Sequence, residues 1–430
     1  MKLRPWMGLF VLATMLLRVS PVAADGLIRD GVGPISTGRG GTNQGFADNS
    51  AIILDNPGAM VNVDGSGLLE LGVDTSIPSV HFTNPLNNVV SATRPLPGPV
   101  LGLIHKTDDE QWAFGLGVFA PAGFGASYGV MNQALLGPQL YRSVGAMGKI
   151  LPGVAYRVND RLSVGLTVGL AFSDIGLTGP YFVQTGAFAG APAAISLIGF
   201  GTAPTGSVGM QYKLTEETTI GATYTEQTNF KLHGATNATL FNPGFPGGAL
   251  SSHFDTITNM CWPRSVAVGL KHDFCPHRRL GIDVIWYDWA HAFDSIGLTM
   301  TNPTNPLVPV ILGTSTIRDQ FPLNWRDSVA MRLGYEWTTD DLQTWRIGYA
   351  YHGAPAPTST LNPFLDGILQ HGISVGYSYA FPRAIVNAAY QYNFGHTETV
   401  TTSSIIGGDF NNSTLNAQCH FAMFSVLFPF

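Results

Sequence analysis

Residues 162–172 read LSVGLTVGLAF, and this pattern narrows the fold more than any other feature of the chain. Leu162, Val164, Leu166, Val168, Leu170 and Phe172 fall on one side of an extended backbone, and Ser163, Gly165, Thr167, Gly169 and Ala171 on the other. Side chains of a strand alternate between faces, so period-two patterning of this length predicts a strand. The apolar face is too long and too greasy for a half-buried strand of a water-soluble sheet. The opposite face is small and polar. Together they suit hydrocarbon outside and a wet or plugged lumen inside.

The pattern recurs. Trp112, Phe114, Leu116 and Val118 alternate with Ala113, Gly115 and Gly117; Val266, Val268 and Leu270 with Ala267, Gly269 and Lys271. Met331, Leu333, Tyr335 and Trp337 oppose Arg332, Gly334 and Glu336; Trp345, Ile347 and Tyr349 oppose Arg346 and Gly348. This places Arg332 and Arg346 in the lumen on adjacent strands. Short polar turns fall near 107–110, 158–161, 215–218, 275–278, 338–342 and 381–383. Long connections fall near 82–97, 121–141, 179–203, 234–263, 296–325, 353–369 and 397–416. The alternation of short and long connections is that of an outer-membrane barrel, and the strands between them number fourteen.

Composition agrees. Charged residues are 12% of the chain, where about a quarter is usual. The chain is 45% hydrophobic, contains 51 Gly and carries a net charge of −6. Such a chain is not disordered and has no basic patch for nucleic acid. After residue 24 no run of about 20 apolar residues occurs, which excludes membrane-spanning helices and leaves the closed barrel as the spanning option.

Lys2 and Arg4 precede an apolar stretch from Trp6 to Leu17, and Val22-Ala23-Ala24 supplies small residues at a cleavage position. Residues 1–24 therefore read as a secretory signal peptide. Residues 25–66 are Gly-rich with weak alternation, too short for a core of their own, and fit a plug inside the barrel formed by 67–430. Cys261, expected in an outer loop, and Cys275, at an inner turn, are a strand apart and beyond disulfide reach; with Cys419 they form no standard metal pattern. No metal or cofactor is expected. The last strand carries Phe424, Val426, Phe428 and Phe430 on one face and ends on that aromatic, like a terminal sorting signal for the barrel assembly machinery.

These residues carry a resemblance. Gly33 to Met60, with Asp48-Asn49-Ser50 and Asn56-Pro57-Gly58, resembles the N-terminal hatch of the long-chain fatty acid and aromatic hydrocarbon outer-membrane transporters (the FadL-type family). Gly58 stands where that family usually has Ala. Ala120 to Phe124 with Tyr128, Leu151 to Gly165, Asn324 to Ser328 and Arg346 to Tyr351 are similar to further segments of the family, in order. The resemblance implies a fourteen-stranded, all-β transmembrane barrel, monomeric, in the outer membrane of a Gram-negative-type bacterium. It implies passive uptake of a hydrophobic small molecule through an outer groove and a pocket near the hatch, with sideways exit into the membrane lipids. Asp48, Asn56, Pro57 and Gly58 would then hold the gate.

Two outer segments, 119–140 and 181–200, lack charge. Large exposed apolar patches mark binding sites, so the candidate cargo contacts are Phe119, Phe124, Tyr128, Met131, Leu135 and Leu136 from the first segment. From the second they are Phe182, Phe188, Ile195, Leu197 and Phe200. A carboxylate cargo would want a lumenal cation, and Arg332, Arg346, Lys271 and Lys149 are available unless they pair with Glu336 or Asp48. Two other readings stand beside transport of hydrophobic compounds. One is a general diffusion porin. The other is a barrel-embedded lipase or esterase built on Gly125-Ala-Ser127-Tyr-Gly129, a G-x-S-x-G pattern that needs a strand before it and a helix after it. No enzyme activity is expected.

Overall fold

The computed structural model describes residues 27–92, 94–339 and 342–430. The expected leader, residues 1–24, lies outside them. Among the described residues fourteen antiparallel strands close into one barrel. They are β1 (Gly67–Asn84), β2 (Leu96–Lys106), β3 (Trp112–Gln133), β4 (Gly137–Arg157), β5 (Leu162–Phe182), β6 (Pro192–Lys213) and β7 (Thr218–Thr225 and Thr228–Phe241). Then follow β8 (Ala249–Trp262 and Ser265–Cys275), β9 (Arg278–Tyr287 and Ser295–Thr301), β10 (Ile317–Pro322 and Ser328–Thr339), β11 (Gln343–His352), β12 (His371–Phe381), β13 (Ala384–Phe394 and Glu398–Val400) and β14 (Ser413–Pro429). The seam pairs β1 with β14 from Leu68↔Pro429 to Thr83↔Thr414. Phe430 completes it: its carbonyl accepts from the Gly67 N–H at 3.0 Å and its own N–H donates to the Gly67 carbonyl at 3.0 Å.

The alternation survives in three dimensions. Val164, Leu166, Val168 and Leu170 are exposed on the outer surface, while Ser163, Thr167 and Ala171 are buried inside. Met331, Leu333, Trp345 and Ile347 likewise face out, and Arg332, Glu336 and Arg346 face in. Residues 121–141 and 179–203, expected as long loops, are mostly strand. β3 and β4 run on to a tight turn at 134–136, and β5 and β6 to a short loop at 183–191. Their uncharged sequences reflect small and apolar residues alternating along extended backbone. Cys261 lies in β8 rather than a loop, for the same reason.

Residues 27–66 fill the lumen with short helices, Pro34–Gly38 and Ile52–Asp55, and a 3₁₀ turn, Pro57–Asn62. The wall meets them with glycine. Gly165 pairs with Gly209, Gly221 with Gly269, Gly281 with Gly334, and Gly334 with Gly348. A Cβ on Gly165 would strike Pro57, one on Gly221 would strike Gln44, and one on Gly348 would strike Gly40. The plug is therefore pressed backbone against backbone onto a belt of wall positions that tolerate no side chain. This belt accounts for part of the high glycine content.

The wall is not continuously paired. β2 pairs with β3 only up to Val100↔Phe119. The β3–β4 register shifts between Phe119 and Ala122. Pairing on the β2 side resumes where the Ala92 N–H donates to the Ser127 carbonyl at 2.7 Å. Between these points lies a window edged by Leu96, Pro97, Gly98 and Pro99 on one side and Ala120 to Ala126 on the other. Three of these residues are prolines, which lack the N–H a ladder needs. The N-terminal end of the plug satisfies part of the freed backbone: the Arg29 N–H donates to the Pro121 carbonyl at 3.0 Å and the Gly123 N–H to the Leu27 carbonyl at 3.1 Å.

Candidate functional site

Three cavities follow one another from the long-connection end to the window, and one more adjoins them on the plug. The outermost is a groove of about 1070 Å³ between the 183–191 loop and the helix Leu307–Leu312, floored by Phe254, Leu298 and Met300. Asp319 ties this loop to β10: it accepts from the Tyr181 hydroxyl at 2.7 Å, the Gln184 N–H at 2.9 Å and the Thr185 hydroxyl at 2.8 Å. The groove shares Tyr181, Ile195 and Leu298 with an inner chamber of about 830 Å³, whose walls are Phe124, Phe182, Leu197, Phe321, Phe364 and Phe410 among others. An apolar lining with a few polar groups is typical of small-molecule sites. Phe124 and Phe364 are shared in turn with a cavity of about 1400 Å³ that reaches Leu96, Gly98 and Ala120 at the window. A fourth, of about 800 Å³, lies on the plug and shares Ile28 and Arg29 with the third.

Of the eleven apolar residues proposed from sequence, Phe124, Phe182, Ile195 and Leu197 line the inner chamber, and Phe188 and Ile195 line the outer groove. The others are placed differently. Phe200 is 56% exposed on the outer surface, because it is an odd number of residues from the inward Ile195 and Leu197. Leu135 is 70% exposed at the tip of the β3–β4 turn, and Leu136 is half-buried beside it. Phe119 packs with Val32, Ile35 and Val100 against the plug. Tyr128 stacks edge-on to Phe82 and donates to the Pro363 carbonyl at 3.1 Å, and Met131 is buried in the same core. Sequence reading missed Leu298, Phe321, Phe364 and Phe410. The first two alternate inward on strands that flank a helical insertion; the last two sit in irregular loops where periodicity gives no signal.

The lumenal arginines are taken up by partners on the wall and the plug. Arg346 Nε donates to Glu336 at 2.6 Å, and Arg279 Nε to the same carboxylate at 2.6 Å. Arg279 also reaches Asp48 at 2.9 Å. Arg39 of the plug joins this cluster and lies 3.5 Å over the ring of Phe46. Arg332 reaches the Gly41 carbonyl at 3.4 Å and the Tyr287 hydroxyl at 3.3 Å. Arg346 is thus an ion-pair partner and lines none of the four cavities. Lys271 pairs with Asp273 at 2.8 Å. In the plug, burial pushes the Asp55 carboxyl up to about 6 against the smaller, lowering effect of the Asn43 hydrogen bond. Burial acts the same way on Asp30, but the facing His352 and Arg332 and the Asn393 hydrogen bond prevail and hold it at about 2.

Asn56-Pro57-Gly58 is a local fastening. The Asn56 side chain accepts from the Gly58 N–H at 3.1 Å and donates to the carbonyls of Gln44 and Met210, each at 2.9 Å. A Cβ on Gly58 would lie 2.8 Å from the Gly209 carbonyl oxygen and 2.8 Å from the Met210 Cα, which explains glycine in place of alanine. Gly125 to Gly129 stands inside β3, so the strand-to-helix turn of a nucleophile elbow is not formed there.

The barrel is similar to solved structures. The toluene transporter TodX of Pseudomonas putida is 21% identical, with a TM-score of 0.77 over 93% of this chain and 99% of that one. A FadL homologue of Pseudomonas aeruginosa is 17% identical, with a TM-score of 0.76 over 94% and 100%. The toluene transporter TbuX of Ralstonia pickettii is 19% identical, with a TM-score of 0.72 over 93% and 99%. A sequence search of curated proteins returns no match. The model of the outer membrane protein transport family (OMPP1/FadL/TodX) matches residues 33–426, and the chain belongs to this family of outer-membrane transporters of hydrophobic compounds.

Proposed function

We propose that this chain takes up hydrophobic compounds, long-chain fatty acids or aromatic hydrocarbons, by capture in the outer groove, transfer to the inner chamber and sideways exit through the window between β2 and β3. One observation carries the reading: the window opens into a cavity that shares lining residues with the apolar chamber above it. Burying a Leu- or Phe-sized surface contributes about 1.5–3 kcal/mol, so a few contacts in either apolar cavity give useful affinity. In this reading residues 1–24 are a cleaved leader and residues 25–66 a standing hatch held by Asp48, Asn56, Pro57 and Gly58. The protein works as a monomer in the outer membrane of a Gram-negative-type cell, and the barrel assembly machinery recognises Phe430. The relatives named above as toluene transporters favour the same class of cargo. A general diffusion porin is disfavoured by the glycine belt, which leaves no gap between plug and wall where they touch.

The window is the place to test. A Cβ on Gly98 would lie 2.8 Å from the Ala120 Cβ. Gly98→Phe should fill the window and lower toluene and laurate entry into proteoliposomes severalfold, with the heat-modifiable barrel still formed. Unchanged entry would remove the sideways route.

A further inference from the structure

The outer face of the wall carries two aromatic rows, and on β11 to β14 they differ in kind. Near the short turns the ring centroids of Trp345 and Tyr377 lie 4.6 Å apart, and those of Tyr379 and Phe381 4.8 Å apart. Near the long connections the same wall carries histidine. His371 opens β12, His396 follows the Ala384–Phe394 segment of β13, and His420 stands in β14. The adjacent Asn393, Cys419 and Phe421 are buried, as is Ser374 of β12, so by alternation His371 and His420 face out. The ring of His371 lies 5.4 Å from that of Tyr351, 5.2 Å from Phe394 and 5.8 Å from His396, and the ring of His420 lies 4.9 Å from Tyr392. His371 is ten residues from Phe381, and His420 ten residues from Phe430. At about 3.3 Å per residue and a tilt of about 40°, both stand about 25 Å above the short turns, which is the height of the apolar band of such barrels. They therefore lie at the level of the lipid head groups of the outer leaflet.

Each of the two strand histidines is held by a phenol. The Tyr349 hydroxyl is 2.8 Å from Nδ1 of His371, and the Tyr390 hydroxyl is 2.6 Å from Nδ1 of His420. With the phenol donating to Nδ1 of a neutral ring, or accepting from Nδ1–H of a charged one, Nε2–H is a donor. Among the described residues no protein group takes it up in either histidine. The charged neighbours of His371 are two further histidines, His396 on the same face and His352, which pairs with Asp30 on the inner side. Glu398, the acid nearest to His396 in the chain, sits opposite the buried Leu415 and so belongs to the inner face. A band of imidazole donors without a carboxylate among them suits an anion, and hydrogen bonds from an imidazolium to a phosphate are of the strong, charge-assisted kind. The flanking tyrosines add flat apolar surface with a wet hydroxyl end, which suits a sugar ring.

We infer that this band docks a phosphorylated saccharolipid of the outer leaflet, whose phosphate groups meet His371, His396 and His420 and whose sugar bears on Tyr351 and Tyr392. Its acyl chains run down the exposed Ile373, Val375 and Phe424 below. The partner belongs to the outside of the wall, so the inference stands apart from the route taken by the cargo through the lumen.

The test is native mass spectrometry of the full chain in detergent, with three probes: bisphosphorylated lipid A, the same lipid A stripped of its phosphates, and phosphatidylglycerol. Wild type should retain bisphosphorylated lipid A severalfold better than either of the others. The double variant His371→Gln with His420→Gln should lose that preference and retain phosphatidylglycerol as wild type does. Tyr390→Phe, which removes the hydroxyl at His420 and keeps the ring, should weaken bisphosphorylated lipid A alone. Stripped lipid A held by wild type as well as the bisphosphorylated form would overturn the proposal. So would a double variant that keeps the wild-type preference, or one that loses all three lipids alike, which is the behaviour of an unselective aromatic girdle. Should the double variant fail to form a heat-modifiable barrel, the exposed His396 decides through His396→Gln: a reduced preference for bisphosphorylated lipid A upholds the site, and an unchanged one overturns it.

Discussion

Arg39 holds Asp48 with two parallel hydrogen bonds of 2.8 Å, one from each Nη to each carboxylate oxygen. This fork–fork geometry gives an ion pair both strength and direction. Around it the plug and the wall share one charge cluster: Arg39 and Asp48 from the plug, Arg279, Glu336 and Arg346 from the wall.

The cluster has three cations and two anions, so each carboxylate matters. Breaking a buried pair by removing one partner costs about 3–5 kcal/mol. Glu336→Gln should loosen the plug while leaving the strand ladder intact. We expect larger and noisier single-channel conductance in planar bilayers and an unchanged heat-modifiable barrel. Asp48→Asn should act in the same direction with a smaller effect, because its side chain is 22% exposed where that of Glu336 is 2%. Silent bilayers with both variants would mean that the cluster does not hold the plug.

Gly58 tests how closely the plug is moulded. Gly58→Ala brings in the residue usual for the family, yet here its methyl meets the backbone of Gly209 and Met210. Overpacking of this kind costs about 1–3 kcal/mol. The apparent melting temperature should fall, and amide exchange in 52–62 should speed up. A variant as stable as wild type would mean that the wall yields freely at that point.

Asp55 predicts a pH dependence. Its carboxyl is raised from 3.8 to about 6 in the folded plug by burial. The opened plug therefore releases this proton first, and its contribution to plug stability falls as pH rises from about 4 to about 6, staying low above. Asp55→Asn should remove that slope and slow amide exchange across 50–56 at pH 7.5, after correction for intrinsic rates. Equal protection in variant and wild type at pH 7.5 would count against it.

Deleting Phe430 should lower the amount of barrel recovered from the outer membrane. It removes the last hydrogen bonds of the β1–β14 seam as well as the terminal aromatic. Replacement by Ala keeps the backbone bonds, so comparing the two separates sealing of the seam from recognition of the ring. Normal abundance of both would dismiss either role.

Much of the architecture was legible in the amino-acid order. Alternation such as Val164–Leu170 fixed the strands and their outer face, because a lipid-facing stripe and a lumen-facing stripe differ so sharply in chemistry. The inward Arg332 and Arg346 followed from the same arithmetic. Loop limits were not legible: nothing in residues 121–141 distinguishes strand that outruns the membrane from an apolar loop. The site was half legible. Phe124, Phe182, Ile195 and Leu197 stand out in uncharged runs, while Phe200 of the same run faces outward, since lack of charge does not set register. Phe364 and Phe410 depend on contacts between distant parts of the chain. The pairing of Arg346 with Glu336 was readable as an option, and only the fold made it a fact.

The glycine belt has a consequence for how such proteins can diverge. Where two surfaces touch through side chains, a bulkier residue on one can be matched by a slimmer one opposite. Here plug and wall meet through main chain at Gly40 and Gly348, and at Gly58 and Gly209, and there is nothing to trim. A stopper transplanted from a cousin would have to copy the path of the backbone itself. Mouth and groove can drift with the diet of the cell, but cork and bottleneck must be inherited together.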